Sequence, residues 1–177
     1  NPVLTSTMLD VPLGHDELAA VGTGMGSAGF VVFDDTRNLI DVAYQVSMFL
    51  HVESCGQCNP CKTGTHDITA ALEDIVSGRA GAAAVDVITR RLTTVTDGSR
   101  CYLPTQERRL IASLIEAFTD DLSVRLGGQP GDLDVPLPKL VDIVAGVAYS
   151  ADRSPFKQPD WTYADTPVRL RTSEPKI

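Results

Sequence analysis

Three of the four cysteines in this 177-residue chain fall within seven residues, Cys55-Gly56-Gln57-Cys58-Asn59-Pro60-Cys61. The fourth, Cys101, follows forty residues after Cys61. Two residues between successive cysteines let one tight loop aim three thiolates at a common point. A cubane of four irons and four sulfides needs four ligands, one per iron, and Cys101 completes the set once folding brings it across. Thiolate is the soft donor that such clusters require. A four-cysteine zinc site is the main rival, although structural zinc usually takes two separated Cys-x-x-Cys pairs. A redox-active dithiol needs only two cysteines and a thioredoxin-like βαβ setting, which the pattern lacks. Inert thiols are the blandest reading.

The neighbours of the cysteines suit a cluster. Gly56 lets the loop turn without a side chain in the way. Amide hydrogens exposed in such a loop hydrogen-bond to cluster sulfurs and favour the more negative, reduced state. Lys62 places a positive charge beside the site, acting in the same direction. Clustered rather than dispersed cysteines argue against a secreted disulfide framework and for a reducing compartment, the cytosol. The formal net charge of −8 argues against broad nucleic-acid binding, which needs a basic face. No stretch has the length and apolarity of a membrane span, so direct membrane insertion is not expected. Asn1-Pro2-Val3-Leu4 shows neither a signal peptide nor an initiator Met, and the numbering is expected to begin inside a longer or processed protein.

The elements that must position these residues divide the chain into three. Residues 1–36 read as part of a small α+β unit. It has a helical turn at Asp16-Glu17-Leu18-Ala19-Ala20, a glycine-rich turn from Gly22 to Gly29, and a buried-strand candidate at Phe30-Val31-Val32-Phe33. Residues 37–126 read as helical. Leu39, Ala43, Val46 and Leu50 recur at helical spacing before the cysteine loop, Glu53 to Cys61. A second helix carries Ile68, Leu72, Ile75 and Val76 and ends at Gly78, and a third carries Val85, Ile88, Leu92 and Val95. A fourth follows Pro104 with Leu110, Leu114, Ile115, Phe118 and Leu122. Four amphipathic helices with short links predict a small bundle. Residues 127–177 are proline-rich. Leu140-Val141-Asp142-Ile143 and Val147-Ala148-Tyr149-Ser150 flank Ala145-Gly146 as a hairpin candidate, and an extended tail with Trp161 and Tyr163 is suited to docking. The fold class expected is mostly α: a four-helix bundle, preceded by a partial α+β segment and followed by the tail.

The segment Glu53-Ser54-Cys55-Gly56-Gln57-Cys58-Asn59-Pro60-Cys61-Lys62-Thr63-Gly64-Thr65 resembles the iron–sulfur motif of the NADH-binding flavoprotein subunit of respiratory complex I. Related subunits of NAD-dependent formate dehydrogenases and bidirectional hydrogenases share it. The family's fourth cysteine lies about forty residues on, as Cys101 does. The turn and strand from Gly22 to Asp35 resemble the end of the family's β-grasp domain, so the resemblance covers roughly residues 1–126.

The resemblance implies an electron-transfer module with one [4Fe-4S] cluster on Cys55, Cys58, Cys61 and Cys101. Glu53, Ser54, Gly56 and Pro60 match motif positions that shape or surround the loop. In the family, NADH gives a hydride to FMN in an N-terminal domain and electrons leave singly through this cluster. FMN and NAD(H) would therefore sit on a domain absent from these residues or on a partner chain. A flavin-containing domain or subunit and other iron–sulfur subunits are the implied partners, and no catalytic residue is expected here. Lys62 stands where the family usually has Arg, which keeps the charge but not the planar fork. The alternative is a non-redox interaction or assembly domain stapled by zinc on the same four cysteines.

Other signals read as structural. Gly24-Met25-Gly26-Ser27-Ala28-Gly29 spells the dinucleotide fingerprint, but with helical signal before it and strand signal after it, the reverse of a phosphate-binding βα turn. His15, His51 and His66 read as surface or helix-end residues. Asp34-Asp35, Asp120-Asp121, Arg90-Arg91 and Arg108-Arg109 read as solvated charges or partner contacts.

Overall fold

The computed structural model describes residues 1–135, 137, 139–144 and 147–151, the side chains of the last two stretches excepted apart from Val144. In chain order the elements are a 3-10 turn (Ser6–Met8), α1 (His15–Ala20), α2 (Leu39–Glu53), α3 (Asn59–Val76), α4 (Ala82–Thr94), α5 (Leu103–Ala117), α6 (Thr119–Leu126), β1 (Lys139–Val144) and β2 (Val147–Ala151). The strands pair antiparallel, with Val144 opposite Val147 and a register shift between Leu140 and Asp142. Trp161, Tyr163 and the rest of the expected tail lie outside the described residues.

Helix α3 is the centre of the bundle, packed between α2 and α4, and α5 closes on α2. Ile40, Ile68, Leu72, Ile75, Ile88 and Ile111 are the core of the contact. The sequence pattern gives α2 one apolar stripe. In the structure Ile40 through Gln45 are all buried, as are Ser47, Leu50 and Val52, so this helix is covered on most sides. Its start is capped twice. Asn38 Oδ1 accepts from the Ile40 amide at 3.0 Å, and Asp121 Oδ2 accepts from the Leu39 amide at 2.7 Å. Asp121 is therefore a helix cap and not the solvated charge expected. Helix α3 ends as the sequence predicts, on Gly78 with φ 70°, a left-handed backbone in which a side chain is strained.

Two expectations are corrected. The single fourth helix is two, because the chain bends at Phe118 (φ −121°, ψ 53°). The bend turns Leu122 into the core and lets Asp121 reach the start of α2. The strand expected at Phe30–Phe33 is absent. Phe30, Val31 and Val32 are 46%, 61% and 87% exposed, and no ladder partner lies beside them among the described residues. β-Propensity reflects fit to a paired, half-buried surface, and here there is no surface to fit. Residues 1–36 thus hold one short helix and turns, without a strand. The glycine-rich stretch is a turn, as expected: the Ala28 amide bonds the Met25 carbonyl at 3.0 Å, and no helix follows it.

The segment after α6 is fastened to the bundle by a buried ion pair. Arg125 Nε and Nη2 each donate to an Asp41 carboxylate oxygen at 2.7 Å. The Asp132 amide donates to the same carboxylate at 2.8 Å, and the Gly131 amide to the Val76 carbonyl at 2.7 Å. Asp41 then has three donors, which offsets the desolvation of its charge.

Candidate metal centre

Ser54 to Cys58 form the link between α2 and α3, and Cys61 lies in the first turn of α3. Cys58 occupies the N-cap of α3 and Pro60 sits at its start, where a missing amide hydrogen costs nothing. Gly56 has φ 75°, a left-handed conformation that reverses the chain between Cys55 and Cys58 and favours glycine. The helix thus begins inside the cysteine motif, three residues earlier than the loop expected from sequence. Cys101 arrives from the other side, on the short connection between α4 and α5.

One cavity of about 260 Å³, counting the part open to solvent, is lined by all four cysteines. Ser54, Gly56, Ser99, Arg100, Leu103 and Pro104 complete the wall. Cys61 is buried at the base, Cys58 is half-buried, and Cys55 and Cys101 stand at the exposed rim. Burial pushes the Cys61 thiol up, against a Ser54 hydroxyl 3.7 Å from its sulfur, while negative charge on Cys101, Cys58 and Cys55 pushes it further up. Among the described residues no three His, Cys, Asp or Glu side chains are gathered closely enough to hold one metal ion. The cysteines surround a space rather than a point. All-sulfur donors around a small, largely apolar space fit an iron–sulfur cluster.

Sequence reasoning missed several contributors. Arg100 lines the cavity and donates through Nη1 to Gln57 Oε1 at 3.4 Å, a weak bridge between the two ligand segments. Its place beside Cys101 was the available signal. His51 takes the helix-end position expected of it, with Nδ1 3.2 Å from Thr65 Oγ1 and its ring edge-on to His66. Thr65 Oγ1 donates to the Cys61 carbonyl at 2.9 Å, steadying the first turn of α3 at Cys61. Arg91 pairs with Asp67 and ties α4 to α3, so it does not simply face solvent. That pair, together with a His66 hydrogen bond, holds Asp67 below the usual carboxylate range against the opposing effect of partial burial.

A bundle that presents four cysteines from two adjoining connections to one cavity offers the all-thiol donor set of a metal-binding domain. Residues 41–125, which include all four cysteines, match the family described as the NADH-ubiquinone oxidoreductase-F iron-sulfur binding region. Similar curated proteins include the F subunit of the NADH-quinone oxidoreductase of Rickettsia typhi, 29% identical over 71% of this chain and 30% of the relative. An F subunit of the Rhizobium meliloti NADH-quinone oxidoreductase is 31% identical over 67% of this chain and 27% of the relative. The F subunit from Mycobacterium bovis is 29% identical over 74% of this chain and 30% of the relative. The chain spans about 30% of the length of the curated relatives it matches. The match to an iron–sulfur binding region supports iron–sulfur binding and an electron-transfer role. No helix among the described residues is long and apolar enough to cross a membrane.

Proposed function

We propose that this chain holds one [4Fe-4S] cluster on Cys55, Cys58, Cys61 and Cys101 and relays single electrons between a flavin and further redox centres of an NADH dehydrogenase-type oxidoreductase. The observation that carries the reading is the convergence of these four cysteines, and no other titratable side chain except Arg100, on one cavity. When bound, the cluster supplies reversible one-electron chemistry. The chain's own residues fix its place and surroundings. Gly56 and Pro60 shape the ligand loop. The Ser54 hydroxyl lies within weak hydrogen-bonding reach of the Cys61 sulfur, and Leu103 and Pro104 wall the cavity with apolar surface. Arg100 adds positive charge, which favours the more negative oxidation level. Residues 37–126 are the unit that does this. The hydride chemistry and the FMN and NADH sites belong to a further domain or to a partner chain, as the length of the relatives suggests.

The test is iron, zinc and acid-labile sulfide analysis of anaerobically purified protein, with electron paramagnetic resonance after dithionite reduction. About four irons and four sulfides per chain with a reduced-cluster signal are the expected result. One zinc without sulfide would overturn the reading and leave a metal-stapled interaction domain.

A further inference from the structure

Glu107 is a carboxyl group for which electron relay alone has no use. It lies on α5, is completely buried, and has Oε1 2.6 Å from Ser47 Oγ on α2, while Oε2 is buried without a hydrogen-bond partner among the described residues. Ser47 Oγ is also 2.8 Å from Thr69 Oγ1 on α3, and the Thr69 hydroxyl donates to the Thr65 carbonyl at 2.8 Å. These three contacts need three protons, and the two hydroxyls supply two. With Glu107 ionised, Ser47 spends its proton on the carboxylate and the Ser47–Thr69 contact has none. With Glu107 protonated, it donates to Ser47, Ser47 donates to Thr69, and the row is complete. Burial, opposed by the Ser47 hydrogen bond, raises the carboxyl from 4.5 to about 7, which agrees with the proton count.

The group is close to the metal centre without touching it. Leu103 and Pro104 line the cavity, and Glu107 is one helical turn further on, about 4.5 Å along the axis. The charged groups of the packed elements are engaged elsewhere or lie at the surface. On α2 His51 meets Thr65, on α4 Arg91 meets Asp67, and on α6 Arg125 meets Asp41. On α3 His66 bonds Asp67, and on α5 Arg108 and Arg109 are exposed. Burial raises the Glu107 carboxyl and the Ser47 hydrogen bond opposes it. A negative charge on it would lie one turn of α5 from the cavity wall formed by Leu103 and Pro104.

We infer that Glu107 is a redox-linked proton site: it takes one proton from water when the Cys55–Cys58–Cys61–Cys101 centre gains one electron from a reduced flavin, and releases it when the electron leaves. One electron and one proton enter together; an O–H bond forms on Glu107 and no ligand bond changes. The cause is repulsion between like charges in a medium of low dielectric, which raises proton affinity as negative charge is added nearby. Linkage makes the effect reciprocal, so a protonated Glu107 eases reduction. The inference rests on the iron–sulfur reading above.

The experiment is a dithionite titration of the anaerobic, cluster-loaded chain, followed by electron paramagnetic resonance between pH 5.5 and 9. Wild type, Glu107→Gln and Ser47→Ala are compared. In wild type the reduction equilibrium is flat at low pH, where Glu107 is protonated in both states. It then falls as pH rises past about 7, by up to tenfold per pH unit, or 59 mV. Glu107→Gln is flat throughout, and Ser47→Ala, which removes the hydrogen bond favouring the ionised form, moves the fall to higher pH. Infrared difference spectra of wild type gain a protonated-carboxyl band on reduction that Glu107→Gln lacks. Should Glu107→Gln not fold, the wild-type profile, its infrared band and Ser47→Ala still decide the matter. A loaded wild type whose equilibrium changes less than about twofold over this range overturns the inference alone. The same slope in Glu107→Gln also overturns it. A wild type without sulfide or signal overturns the iron–sulfur reading and the inference with it.

Discussion

Replacing Gly64 with Ala tests whether the approach of α3 to α4 holds the two ligand segments in place. Gly64 is one turn beyond Cys61 and faces Val95, which is fully buried at the end of α4. A β-carbon at Gly64 would stand 2.8 Å from Val95 Cγ2, 3.0 Å from its Cβ and 3.3 Å from its Cα. The last is backbone, and Val95 is β-branched, so no rotamer change clears the clash. In an open helix, glycine to alanine stabilises by about 1 kcal/mol. Overpacking a close contact costs about 1–3 kcal/mol. The net expectation is a loss of about 1 kcal/mol, opposite in sign to the unobstructed case. Urea unfolding of wild type, Gly64→Ala, Val95→Ala and the double variant measures it. In the Val95→Ala background, Gly64→Ala costs less, and the difference is the coupling between the sites. Val95 leads in six residues to Cys101, so a displaced α4 also lowers the iron and sulfide bound per chain. A Gly64→Ala variant that is more stable by about 1 kcal/mol and retains its full sulfide would refute the reasoning.

Three further expectations follow from the same packing. Cys101→Ser loses most bound iron and sulfide while keeping its helical circular dichroism, because the Ile40–Ile68–Leu72–Ile88–Ile111 core contains no ligand; loss of the helical signal would show the metal holds the bundle together. Asp41→Ala strands Arg125 in the interior and lowers unfolding stability by about 3–5 kcal/mol, and an Asp41→Leu, Arg125→Met pair recovers much of that in the same urea assay. Glu107 binds its proton more tightly folded, at about 7, than unfolded, at 4.5, so its contribution is full below pH 4.5 and is lost as pH rises through about 7. Relative to Glu107→Gln, wild type should lose about 3 kcal/mol of stability between pH 4.5 and 8, and a pH-independent difference between the two denaturation series would contradict this.

The gathering of Cys55, Cys58 and Cys61 was legible because their spacing is local, since cysteines two residues apart form a loop by chain geometry alone, whereas the arrival of Cys101 at the same cavity depends on the packing of the helices. The stripes of α3 and α4 and the stop at Gly78 were legible for the same reason. The break at Phe118 was not, because what rewards it is the Asp121 contact with the Leu39 amide, 82 residues away in sequence. Phe30–Phe33 misled because apolar, β-branched residues describe a strand only when a neighbouring strand is there to pair with. Arg91 read as a solvent-facing or partner-facing charge, because only the packing of α4 on α3 puts it against Asp67. Glu107 could have been noticed, since it falls on the α5 face that also carries Ile111 and Leu114, where a carboxylate is out of pattern.

That misplaced carboxylate bears on how the bundle serves its centre. A core built only for stability would put a leucine at 107, and the hydroxyls of Ser47 and Thr69 would need no third proton. Instead α2, α3 and α5 each contribute one polar group to a buried row, and the apolar contacts of Ile68, Leu72 and Ile111 carry the packing. Such a row is stabilising only when fully protonated and is costly when one proton is missing. Its stability is therefore tied to any charge that appears in the cavity one turn away. The same arrangement that makes the fold weaker at high pH makes the centre's affinity for an electron depend on pH, and the two dependences must change together in Glu107→Gln.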